Sequence, residues 1–347
     1  MKTGFYIIFE KSLIGCFPGG ESMKYIWKDV YMAGVMGILV PGLLLNVGVM
    51  ASEEAEQNQI VTEAVVMETE SATEPVLPTS VPIRFLNNGE PQEMELEEYL
   101  VGVVLAEMPA SFEEEALKAQ AVVARTYTVR AREGKSKHDD GDICGDSTRC
   151  QGYLAPADYG GTEEALAKVQ NAVASTSGQV LTYEGKLVEA TYFSCSGGTT
   201  EDAVAVWGTD VPYLQSVSSP GEENATYYTD AVSFTIQEFA SRLGVNLTGK
   251  PASWLGDVTH TSGGGVDTIM IGGLTFKGTE LRKLLGLRST AFTITATEDT
   301  VTVQTRGYGH RVGMSQYGAD AMAALGSTYG EILTHYYQGT ELTNWFD

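Results

Sequence analysis

Cations are scarce in this chain: 22 Lys and Arg stand against 45 Asp and Glu over 347 residues, a formal net charge of -23. Binding a nucleic-acid backbone needs clustered Lys and Arg, so no nucleic-acid partner is expected. The loop at Gly307, Gly309 and Gly313 misses the dinucleotide spacing, and no acidic residue follows a βαβ pattern at the required distance, which removes nucleotide binding. Around Ser315 the nucleophile-elbow spacing is missed by one residue, which disfavours a serine hydrolase built on His310 and Ser315. No internal repeat is evident, and cysteines number only four. With 43% hydrophobic and 19% charged residues, the chain has enough apolar content for a sizeable core and is not a disordered polymer.

Charge is also missing from Val30 to Met50, a run of 21 residues that reads as one transmembrane helix. Lys2, Lys11, Lys24 and Lys28 precede it, whereas residues 51–100 carry twelve Glu and the lone cation Arg84, so the N-terminus is expected in the cytoplasm. The run is longer than the ~7–15 residues of a signal-peptide core, which favours an uncleaved anchor over cleavage at Ala51-Ser52. Met23, heading the positive flank MKYIWKDV, is a second candidate start. The expected organisation is a cytoplasmic segment at 1–29, a membrane helix at 30–50, an extended Glu-, Ser-, Thr- and Pro-rich linker at 51–80, and one α+β domain at 81–347 outside the cytoplasm.

The most informative stretch runs from Glu98 to Gly134. Leu96 to Glu107 is an apolar helix that must stop at Met108, because the residue before Pro109 is biased away from helix. Ser111 and Glu114 have capping-box spacing, and Leu117, Ala121, Ala124, Thr128 and Ala131 repeat at helical intervals until Gly134. Glu107 therefore sits at the seam, a single carboxylate ending an apolar run, where partial desolvation raises its pKa and suits general acid work. A merely solvated helix-terminal Glu is the bland alternative.

Farther on, Asn88-Gly89 and Glu184-Gly185 mark hairpins, the second over Gln179 to Tyr183 and Lys186 to Phe193, delivering the loop at Ser196, Gly197 and Gly198. Residues 199–265 are weakly patterned. Phe276 to Leu287 is a helix candidate, Phe292 to Thr297 and Val301 to Thr305 form a strand pair, and the loop from Arg306 leads into two closing helices. Cys144 and Cys150 enclose five residues, so a disulfide is the simplest expectation outside the cytoplasm. A zinc site on His138, Cys144 and Cys150 is the rival, with Cys195 a more remote ligand; otherwise no metal or cofactor is expected. A nucleophilic role for Cys195 lacks a supporting local signature.

EEYLVGVVLAEMPASFEEEALKAQAVVARTY at 97–127, CGDSTRCQGY at 144–153, YFSCSGGTTE at 192–201 and GYGHRVGMSQYGADAMA at 307–323 together resemble the stage II sporulation protein D family, whose domain also occurs in amidase-enhancer proteins. The resemblance covers roughly residues 81–342. It implies lytic transglycosylase activity on peptidoglycan glycan strands, with Glu107 as catalytic acid, a partner cell-wall amidase that strips stem peptides, and a role in sporulation at the cell membrane. It also implies that Gln120, Arg125, Ser196, Gly197, Gly198, His310, Gln316 and Tyr317 line the glycan groove. Zinc binders of the family carry a histidine before the second cysteine; here Arg149 takes that place. A non-catalytic glycan-binding module that activates an amidase is the alternative.

Overall fold

Two helices joined at a proline anchor the first core of the computed structural model, which describes residues 81–346. They are α1 (Leu96–Glu107) and α2 (Glu114–Arg130). Small residues on all sides of α2, among them Ala116, Ala119, Ala121 and Ala124, let neighbours approach around its whole circumference. Those neighbours are α1, α3 (Glu163–Ser175), the strand Gln179–Tyr183, and the closing helices Gln316–Ala324 and Tyr329–Tyr336. The membrane helix expected at 30–50 and the linker at 51–80 lie outside the described residues. Among the described residues no helix is long and apolar enough to cross a membrane.

The α+β class is observed, with local differences. Strands Pro82–Asn87 and Glu90–Glu95 pair antiparallel across Asn88-Gly89, as the sequence predicts. The capping box at Ser111 is not used. Instead α2 begins behind Glu113, whose N–H donates to Asp320 Oδ1 at 2.7 Å, so a carboxylate from a distant helix replaces the local hydroxyl. The run Lys186 to Phe193 is not one strand: Lys186–Leu187 pairs with Gln179–Tyr183, while Tyr192–Phe193 pairs parallel with Met314–Ser315.

Weakly patterned 199–265 hides part of a second core, whose remaining strand pair and helix fall where the sequence predicts them. Its strand Thr229–Thr235 pairs with Thr300–Arg306, which pairs with Ala291–Ala296, and a separate sheet joins Leu255–His260, Val266–Ile271 and Leu274–Lys277. Phe234, Phe239, Trp254, Ile271, Leu281 and Val303 are buried between these sheets and the helices Ile236–Leu243 and Gly278–Leu285. Only Phe234 of Thr229–Thr235 is fully buried, so the strand gives no clean alternation in sequence.

Arg125 corrects an expectation. It does not line the groove but is completely buried in the first core, where Nε and Nη2 donate to Glu97 at 2.8 and 2.7 Å and the guanidinium also reaches the carbonyls of Val173 and Gln179 at 3.2 Å. The planar fork ties α2 to α1, α3 and the following strand at once. Arg125→Ala removes a buried partner from several acceptors and is expected to cost about 3 kcal/mol or more. Denaturant unfolding of the full chain checks this; a variant as stable as the parent contradicts the clamp.

Candidate active site

Glu107 is the last residue of α1 because Met108 is already extended, at φ -126° and ψ 142°. Gly102, five residues earlier on the same helix, lets the segment 151–154 lie directly on α1: a Cβ there would stand 2.2 Å from the Tyr153 ring, and Leu154 N–H donates to the Gly102 carbonyl at 3.0 Å. That contact carries Gly152 N–H onto Glu107 Oε1 at 2.5 Å. The carboxyl is half-buried, and desolvation raises its pKa, while the Gly152 amide and the Tyr192 and Gln316 side chains pull it back toward the ionised form. The negative end of the α1 dipole acts in the same sense as burial.

Glu107 lines a cleft of about 650 Å³ together with Gln151, Tyr192, Trp207, His310 and Gln316. Two glycine-rich loops meet there. The Tyr192–Phe193 and Met314–Ser315 strands run side by side, and Cys195 and Tyr308 exchange backbone hydrogen bonds at 3.2 and 2.7 Å. His310 is neutral over most of the pH range: burial, with the Arg282 charge, pushes its pKa down to about 4, and Nδ1 accepts from Val312 N–H at 3.2 Å. Gln120 lies beneath the cleft, fully buried, with Oε1 accepting from Gln316 Nε2 at 3.4 Å. Its own Nε2 has no partner among the described residues.

Other expected groove residues are placed elsewhere. The amides of Ser196 and Gly197 are not free for a sugar, because both donate to the buried Glu222 carboxylate, at 2.7 and 2.9 Å, and Gly198 N–H donates to Ser196 Oγ at 2.9 Å. Tyr317 packs its ring on Phe112 at 4.9 Å and its hydroxyl reaches Thr226, away from the cleft lining. Ser315 is buried and caps the following helix through Gly318 N–H, so it is no nucleophile. The buried Cys195 thiol donates to the Tyr227 carbonyl at 3.7 Å, and burial pushes its pKa up to about 11, leaving it unreactive.

Cys144 and Cys150 are free thiols, so the expected disulfide is not formed. They gather with His138 instead: the three donor atoms lie within 4.8 Å of one another, and His138 Nε2 is 3.2 Å from Cys150 Sγ. Two thiols and an imidazole are a donor set that fits zinc. Arg149 Nη2 sits 3.4 Å from His138 Nδ1 and has to move off before that nitrogen can carry the proton a metal on Nε2 requires. Cys195 is not in the cluster.

Sequence reasoning missed Gly152, Tyr192, Trp207 and Glu189, all at or on the cleft. Gly152 and Tyr192 fall inside stretches singled out by motif, but neither carries chemistry that marks it in one dimension. Glu189 is a second carboxylate on the lining, paired with Arg130 at 3.5 Å.

The family profile described as "Stage II sporulation protein" matches residues 88–183, a span holding Glu107, Gln120, Arg125 and the Cys144 loop. Stage II sporulation protein D of Bacillus subtilis (strain 168) is 42% identical over 319 residues, covering 88% of this chain and 92% of that protein. Its counterpart in Bacillus amyloliquefaciens is 42% identical over 293 residues, 81% of this chain and 84% of its own length. The "Amidase enhancer" of Bacillus subtilis (strain 168) is 31% identical over 304 residues, 71% of this chain but 40% of that longer protein. With the first of these relatives matched over nearly its whole length, the chain belongs to the stage II sporulation protein D family.

Proposed function

We propose that this chain is a lytic transglycosylase that cleaves peptidoglycan glycan strands between N-acetylmuramic acid and N-acetylglucosamine. The observation that carries the reading is a half-buried carboxyl with a raised pKa, held by a backbone amide on the wall of an open cleft. Protonated Glu107 donates to the bridging glycosidic oxygen as the C1–O bond breaks, leaving an oxocarbenium-like centre at C1. Its carboxylate then takes the C6 hydroxyl proton as the C6 oxygen bonds C1, which closes a 1,6-anhydro ring and restores the acid. No water is consumed. Gly152 N–H, Tyr192 and Gln316 steady the ionised form between the two transfers. Gln120 is a positioning residue that acts through Gln316.

The same reading places the protein on a membrane through the 30–50 helix, with the 51–80 linker as spacer and strands stripped by a cell-wall amidase as substrate. Two observations keep rivals in the test. Glu189 gives the cleft the second carboxylate that hydrolysis needs, and a relative named as an amidase enhancer fits a binding module.

Full-length protein in detergent is expected to convert peptide-free glycan strands to anhydro-ended fragments, read by mass spectrometry. Reducing-end products would favour hydrolysis with Glu189, and uncut strands the binding module. Glu107→Gln is expected to lower the rate by about 10²–10⁴-fold. Because burial raises the folded-state pKa of Glu107, its ionised form costs stability as pH rises through that pKa, so the Gln variant should melt no lower than the parent at neutral pH. A variant that cuts at the parental rate refutes the assignment.

We also propose that His138, Cys144 and Cys150 hold zinc. Bound zinc would cross-link the 138–152 loop that presents Gly152 to Glu107. Protein purified without added metal is expected to carry about one zinc per chain, lost in Cys150→Ser. Metal-free protein with a Cys144–Cys150 disulfide in its mass spectrum contradicts this site.

A further inference from the structure

Among the described residues, three aromatic side chains break the usual rule that large rings are covered: Trp207 is 43% exposed, Tyr227 40% and Tyr308 38%. Trp207 and Tyr308 line the same cleft as Glu107. Neither ring is loose. The Trp207 indole leans on the His310 ring at 5.5 Å, which in turn meets Phe193 at 5.6 Å. Tyr308 meets Tyr227 edge to face at 5.4 Å and 83°, and the Arg288 guanidinium lies over both, 3.7 Å from Tyr227 and 4.9 Å from Tyr308. Arg288 is fixed in turn by Asp230 at 2.8 Å, and the backbone of Tyr308 is tied to Cys195 from both sides. A ring that is braced by such contacts and still partly open to solvent is pre-ordered for a ligand at little entropic cost.

The occupant follows from the chemistry of the wall. A pyranose ring presents a flat C–H face that packs on an aromatic face, while its equatorial oxygens and acetamido group seek hydrogen bonds. Lys137, Arg149 and Gln316 supply polar groups on the same lining. We propose that Trp207 and Tyr308 form a stacking subsite for an N-acetylated amino sugar of the strand, beyond the two units joined at the cleaved bond. This rests on the glycan-cleaving reading above. Cleavage should then depend on strand length, because only a chain long enough to reach these rings gains the stacking energy.

Binding and cleavage are measured separately on the full-length chain in detergent. In a Glu107→Gln background, calorimetric titration with peptide-free glycan strands gives the parental affinity. Adding Trp207→Ala or Tyr308→Ala is expected to weaken it roughly tenfold, while Tyr308→Phe keeps it, as stacking on a retained ring requires. Tyr308→Leu, which keeps apolar bulk without a flat face, should behave like the Ala variant and covers the case that Tyr308→Ala does not fold. Among otherwise active chains, the same losses should appear in KM for long strands more than in kcat. Unchanged affinity in both Trp207→Ala and Tyr308→Leu, with wild-type cleavage intact, overturns the subsite and leaves the activity standing. Failure of the parent to bind strands and of wild type to cut them overturns both.

Discussion

A single backbone contact, Gly152 N–H to the Glu107 carboxylate, sets the character of the site. It exists because α1 carries Gly102 where any larger residue would hold the 151–154 segment off, and the helix ends at Glu107, with Met108 already extended before Pro109. Burial alone would keep the acid protonated and useless as a base; a fully wet carboxylate would never be an acid near neutrality. The amide, Tyr192 and Gln316 work against desolvation, which remains the larger effect and leaves the pKa of Glu107 raised.

Buried charges elsewhere keep that balance in register. Arg311, held at φ +68°, donates to the carbonyls of Ser196, Thr199 and Gly263, each at 2.7 Å, and to Glu201 at 3.1 Å. It thereby ties the glycine loop before His310 to the loop after Cys195 and to the second core. Glu222 does the same for Ser196, Gly197 and Ser219. Such pairs add little net stability over apolar packing, yet leaving any member unpaired is costly, so they specify one arrangement of the two loops.

Much of this was legible in one dimension. The helix break at Pro109, the place of Glu107 and the Asn88-Gly89 hairpin follow from local rules of proline, period and turn residues. Local rules also misled. Arg125 and the Ser196 to Gly198 loop look like ligand-binding groups because they are polar and stand in informative motifs, but their hydrogen bonds are spent on Glu97 and Glu222, partners that sequence spacing does not reveal. Trp207 and Glu189 reach the cleft only through tertiary packing. Part of the second core was legible as well, in the strand pair Ala291–Ala296 and Thr300–Arg306 and the helix Gly278–Leu285, whereas Thr229–Thr235 and Leu255–His260 were hidden because most of their residues are not buried, so their alternation is faint.

The central claim is that Glu107 is held between its two protonation states by opposing burial and hydrogen bonding. Its carboxyl carbon, observed by NMR in selectively labelled protein and assigned by the signal lost in Glu107→Gln, tests that directly. A titration midpoint above the ordinary glutamate value of about 4.3 is the predicted result. A midpoint at or below that value would mean a carboxylate ionised near neutral pH like any exposed glutamate, and would contradict the account.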